Sequence, residues 1–172
     1  YRLLEAAETA PGEAQAPATP TRLTIETTKG PITVELFDDR APITAGNFLL
    51  LAETGYFGGV TFHRVEPGFV IQGGDPLGNG TGGPAYRFAG EISRKLKHDK
   101  KGIVSMANSG PRSDGSQFFI TFKEATQLDG KHTIFGEVVE GMGTLTTLEG
   151  LGSKEGKPRK RIDILRAEIR VR

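Results

Sequence analysis

The chain has 172 residues, and its 22 Lys and Arg against 21 Asp and Glu leave a formal net charge of +1. It is therefore long enough to bury a core of its own and has no bulk field to draw it to nucleic acid or an anionic membrane. Cysteine is absent, which excludes disulfides, thiol catalysis and cysteine-ligated zinc.

Residues 1–20 come first and read as a flexible tail or linker. From Glu5 to Pro20 the chain is rich in Ala, Glu, Thr and Pro, with almost no large apolar side chain, so it cannot offset the entropy of being ordered. The chain starts at Tyr1 rather than Met, which leans toward an exported or tethered protein; the compartment is otherwise open. Residues 21–172 are expected to form one domain.

Alternation begins at Arg22: Leu23, Ile25 and Thr27, then Ile32, Val34 and Leu36 after Lys29-Gly30-Pro31. Two period-2 runs split by a glycine turn predict a β-hairpin. Ala41-Pro42 opens a helix, since proline is tolerated in a first turn. Ala45, Phe48, Leu49 and Ala52 recur at helical spacing, and Gly55 supplies the stop. The run Phe48 to Ala52 is far shorter than the ~20 apolar residues of a membrane span.

Short apolar segments follow at Val60 to Val65, Phe69 to Gln72, Gly102 to Ala107, Gln117 to Phe122 and Thr133 to Val139, separated by glycine-rich loops. Such a series suggests a barrel or sandwich. Met142 to Leu151 predicts a second, shorter helix. Ile162, Ile164, Ala167, Ile169 and Val171 predict a closing strand with an irregularity near Leu165.

Four clusters concentrate the chemistry: Phe62-His63-Arg64-Val65 through Gly68 to Asp75, Ser105 to Gly110, Gly115 to Ile120, and Leu128 to His132 leading to Phe135-Gly136. In residue type, order and spacing these resemble the cyclophilin family, and the match runs from about Arg22 to the C-terminus. The resemblance implies a mainly β fold, a closed eight-stranded antiparallel barrel capped by two helices. It also implies an outer groove for a proline-containing peptide, and an isomerase of X–Pro bonds that assists protein folding without a cofactor or metal.

Carried over residue by residue, the resemblance places catalytic roles on Arg64, Gln72 and His63. It places substrate contacts on Phe69, Val70, Ala107, Asn108, Gln117, Phe119, Leu128 and His132. Gly80 and Thr81, within Asn79-Gly80-Thr81-Gly82-Gly83, match a loop bordering a neighbouring pocket. Proline-containing peptides and unfolded proteins are the implied partners, met by a monomer.

The chemistry fits these residue types. Rotation about X–Pro breaks no covalent bond but must overcome about 18 to 20 kcal/mol of amide resonance. A permanently charged guanidinium can stabilise the proline nitrogen as it turns pyramidal, which assigns the central role to Arg64. Gln72 is expected to orient it. Phe118 and Phe119 are adjacent in one strand and should face opposite sides, one to the core and one to the groove.

Other patterns carry less. His63, His98 and His132 lie on separate segments without the pairing that zinc requires. Gly78 to Gly83 satisfies G-x-G-x-x-G, yet Pro84 stands where a helix should begin. Asn79-Gly80-Thr81 is formally a glycosylation sequon and is read as coincidence. Lys154, Lys157, Arg159, Lys160 and Arg161 form a basic run without interleaved aromatics, read as a solvated loop rather than a nucleic-acid site.

Three residues depart from the family pattern. Gln127 stands where many members have a tryptophan before Leu-Asp-Gly, which implies weakened cyclosporin binding with isomerisation retained. Val70 replaces a common methionine and makes the pocket lining smaller and stiffer. Ser109 stands where alanine is frequent. A module that holds proline-containing segments without turnover is the rival reading, and a structural domain targeted by its tail is a third.

Overall fold

The computed structural model describes residues 20–170, so the expectation of a tail over residues 1–20 lies, but for Pro20, outside the described residues. In chain order the strands are β1 (Arg22–Thr27), β2 (Gly30–Leu36), β3 (Arg64–Glu66), β4 (Val70–Gly73), β5 (Ile103–Met106), β6 (Phe118–Thr121), β7 (Ile134–Glu140) and β8 (Ile164–Arg170). Two helices, α1 (Pro42–Glu53) and α2 (Met142–Glu149), and a 3-10 turn over Thr126–Leu128 complete the fold.

β1 and β2 form the hairpin, with Arg22 opposite Glu35 and Thr27 opposite Gly30. Gly30 turns the corner at φ +123°, a conformation that side-chain-bearing residues resist. All eight strands join one antiparallel sheet in the order β3-β4-β6-β5-β7-β2-β1-β8. Along β1 the pairing jumps from Glu26 opposite Arg166 to Thr27 opposite Ile164. Leu165 is thus the extra residue of a bulge, and its side chain is exposed.

The expectation of a closed barrel is overturned. β3 and β8 are the two ends of the sheet and share no ladder, so the sheet is an open, strongly curled half-barrel. β3 is also shorter than the predicted Val60 to Val65. The stretch from Gly59 to Phe62 reaches the start of β8 and the residues just before it only by an isolated bridge between Thr61 and Asp163 and by separate bonds. These run from Gly59 N–H to Ile164 O (2.8 Å), Ile164 N–H to Val60 O (2.8 Å) and Phe62 N–H to Ile162 O (3.0 Å). Glycines hold a strand poorly, and Pro67 ends β3 because it has no N–H to give.

The concave face is filled by aromatic rings. Phe48 of α1 meets Phe118 edge-on at 5.0 Å, Phe57 at 4.9 Å and Phe135 at 5.1 Å between centroids. α1 packs on β7 and β8, while α2 packs on β2 and β3 through Leu145 and Leu148. Proline opens α1 as expected, but no local side chain caps it. The Glu91 carboxylate does so from afar, accepting from Ile43 N–H (3.3 Å) and from Thr44 N–H (2.7 Å) and hydroxyl (2.8 Å). A carboxylate there complements the positive end of the helix.

Candidate active site

Strand register builds the site. Arg64 of β3 lies opposite Gln72 of β4, Gln72 opposite Phe119 of β6, and Phe119 opposite Ser105 of β5. Directly opposed residues of antiparallel strands share a face, so these four form one row on the convex side. Glu66, Val70 and Thr121 form the next row on that face. The alternate row, Val65, Ile71, Ile120 and Val104, is fully buried on the concave side. Phe118 enters the core as well, while its neighbour Phe119 belongs to the outer row.

Loops raise walls around that row. The result is a depression of about 240 Å³ lined by Arg64, Phe69, Val70, Gln72, Ala107, Asn108, Phe119, Leu128 and His132. A second cavity of about 280 Å³ adjoins it across Gln72, Ala107 and Asn108, and Gly80, Thr81 and Gln117 line this one. Twelve of the thirteen expected residues thus border one of two adjoining hollows. His63 does not: its ring sits behind, beside Gly80.

Hydrogen bonds hold the walls. Gln72 Nε2 donates to Gln117 Oε1 (3.0 Å), and Gln117 Nε2 donates to the carbonyls of Gly80 (3.0 Å) and Gly82 (2.9 Å). Asn108 Nδ2 donates to Lys131 O (2.9 Å). His132 Nδ1 lies 2.8 Å from the Met106 carbonyl and so carries the proton, fixing the ring edge-on to Phe119 at 5.3 Å. Beneath the Gly80 loop, buried Asp75 accepts from the N–H groups of Leu77 (2.8 Å), Asn79 (3.1 Å) and Gly80 (2.6 Å). Burial pushes the Asp75 carboxyl up, but these backbone bonds together outweigh it and hold it below its ordinary value.

Arg64 is held differently from the expectation. Its Nη2 donates to Glu66 at 2.8 Å, while the Gln72 amide is turned to Gln117. Glu66 is two residues along the same strand and so on the same face, and a carboxylate binds guanidinium more strongly than an amide does. The guanidinium stands 5.7 Å from the Phe69 ring centroid. Its stem lies against Gly156, where an added Cβ would sit 3.2 Å from Cγ.

The floor has a support that spacing did not reveal. His98 is fully buried and stacks on Phe119 at 5.8 Å. Its Nδ1 and backbone N–H reach Asp129 Oδ1 at 2.8 and 2.7 Å, and its Nε2 lies 3.0 Å from the Ser105 hydroxyl. Burial pushes the imidazole below its ordinary value, so it is neutral at pH 7 and Nδ1–H donates to Asp129. The Ser-His-Asp arrangement is no nucleophile: Ser105 has no exposed surface. His63 is likewise lowered, by burial first and then by Arg64, and its Nδ1 is buried without a partner among the described residues.

The arrangement places a fixed cation at the rim of an apolar slot, with amide groups able to grip a backbone on either side. It offers no aligned nucleophile and base.

Comparison with known proteins agrees with this geometry. The pattern of the cyclophilin type peptidyl-prolyl cis-trans isomerase/CLD family matches residues 22–169. The chain is similar to a peptidyl-prolyl cis-trans isomerase-like 2 of Cryptococcus neoformans, 50% identical over 147 residues. That match covers 83% of this chain but spans only 26% of the Cryptococcus protein. A peptidyl-prolyl cis-trans isomerase-like 1 of Emericella nidulans is 47% identical over 154 residues, covering 87% of this chain and 94% of that one. Among solved structures, a cyclophilin type isomerase of Cryptosporidium parvum crystallised with the dipeptide Ala-Pro superposes with a TM-score of 0.85 at 41% identity. The superposition covers 88% of this chain and 99% of that one.

Proposed function

The chain belongs to the cyclophilin-type peptidyl-prolyl cis-trans isomerase family; from that premise, we propose that it is an isomerase that turns X–Pro bonds in the depression between Arg64 and Phe119, in flexible segments of client proteins. The proline ring enters the slot of Phe69, Val70, Phe119 and Leu128. Asn108 and Gln72 hold the backbone on either side of the turning bond. Arg64 donates to the proline nitrogen as it leaves the amide plane and gains a lone pair. His63 and His132 shape the site, since no proton transfer is required.

Magnitudes show that Arg64 does not act alone. One charge-assisted hydrogen bond contributes about 1.5 to 3 kcal/mol, whereas a ~10⁵-fold acceleration takes nearly 7 kcal/mol off the barrier. The remainder comes from holding the ring and backbone in the twisted geometry. Gln127, exposed on the 3-10 turn beside Leu128, offers no indole to a cyclic peptide drug, so cyclosporin binds weakly.

The observation that carries this reading is the row Arg64, Gln72, Phe119 on the face of a depression whose apolar lining is Phe69, Val70, Phe119 and Leu128. It is tested by exchange spectroscopy on an X–Pro test peptide with catalytic amounts of the protein. Accelerated cis–trans exchange is expected; binding without acceleration would make the chain a holding module instead.

A further inference from the structure

Between Lys154 and Arg161 the chain carries five cations and one carboxylate, Glu155. The fold docks this run against Arg64. β3 is an edge strand, and the start of this run covers its free edge: Ser153 N–H donates to Val65 O (3.2 Å) and Val65 N–H to Gly156 O (2.8 Å). Gly156, buried at φ +84°, lies against the Arg64 stem, where a Cβ would come within 3.7 Å of Nε. The loop is therefore fastened behind Arg64, a residue that lines the depression, and carries its cations on that side.

Two of the five cations are already engaged. Arg159 donates to the Gly150 carbonyl and Arg161 pairs with Asp163 at 2.8 Å. Lys154, Lys157 and Lys160 are exposed, and among the described residues no carboxylate lies within ion-pair distance of them. Of the nearby acids, Glu66 is on Arg64 and Glu149 accepts from Gly68 N–H at 2.7 Å, and Glu155 within the run offsets only one of the three lysines. A net positive charge is thus left on a loop that packs against Arg64, on a chain that is nearly neutral overall. The run has no aromatic side chain on which a base could stack, which favours an acidic peptide over nucleic acid.

We propose that this loop is a specificity element that selects clients with Asp or Glu residues flanking the isomerised proline, bound by Lys154, Lys157 and Lys160 while the ring occupies the depression. The inference rests on the depression being the isomerase site. Exposed pairs act weakly and chiefly on encounter, so the effect belongs in kcat/KM and fades with salt.

The test uses X–Pro peptides with one common core and neutral flanks, a Glu pair before the core, or a Glu pair after it. Exchange and binding are measured in the same samples at low and high salt. For one of the acidic peptides, kcat/KM at low salt should exceed that of the neutral one by about three- to tenfold. The advantage should vanish at high salt and in a Lys154→Gln, Lys157→Gln, Lys160→Gln variant that turns over the neutral peptide unchanged. Equal values for all peptides, or an advantage that survives the substitutions, would overturn the inference, as would tight binding of a single-stranded oligonucleotide with no preference among peptides. Absence of exchange on every peptide overturns the isomerase reading instead, and the binding arm then still decides the role of the lysines.

Discussion

Asp114 is a buried carboxyl that should cost the fold stability when it ionises. It is 1% exposed, and its Oδ2 has no hydrogen-bond partner among the described residues. Burial, with a smaller contribution from the Glu91 carboxylate, raises its pKa from 3.8 to about 6. The folded state thus holds this proton more tightly than the unfolded chain does. The associated stability is fully present below about pH 3.8 and is lost as pH rises through about 6. Each pKa unit is worth about 1.4 kcal/mol, so the loss at pH 8 approaches 3 kcal/mol. Asp114→Asn keeps the shape and removes the charge. Urea unfolding of both proteins from pH 4 to pH 8 checks this: the variant should gain over the wild type as pH rises, reaching about 1 to 3 kcal/mol above pH 7. A difference independent of pH, or a variant weaker at pH 8, would refute the reasoning. The site is involved as well, because Asp114 and Phe88 exchange backbone hydrogen bonds (3.0 and 3.2 Å) that tie together two loops walling the larger cavity.

Further expectations concern the depression itself. Glu66→Gln loosens Arg64 and should lower kcat a few-fold with little change in KM, while stability moves by less than about 1 kcal/mol because the pair is half exposed; an unchanged or raised kcat would show that Glu66 positions nothing. Gln127→Trp should strengthen cyclosporin binding roughly tenfold by adding an indole to the rim, read by titration, and no gain would count against the account of that departure. Phe119→Ala should cut kcat/KM and destabilise the domain by about 3 to 5 kcal/mol, since the ring is 4% exposed and His98 stacks on it.

Much of this was legible in the residues. Period-2 alternation located the β1–β2 hairpin, Pro42 marked the start of α1, and the broken pattern near Leu165 marked the bulge in β8. Local patterns report which face a side chain takes, and so Phe118 and Phe119 could be assigned opposite sides. They do not report which strands meet at the ends of a sheet. That is decided by tertiary pairing, and the short β3 leaves the half-barrel open. Contacts between distant segments were equally silent. Nothing in the spacing joins His98 to Asp129 and Ser105, or the basic loop to Arg64 through Gly156. Glu66 was within reach, since a carboxylate two residues beyond an arginine on a strand shares its face.

The most direct test of the mechanism is the isomerisation rate of an X–Pro peptide with wild type and with Arg64→Ala, at matched folding and peptide affinity. Loss of one charge-assisted hydrogen bond to the turning nitrogen predicts a kcat/KM lower by about ten- to a hundredfold. Equal rates for the two proteins would contradict the account.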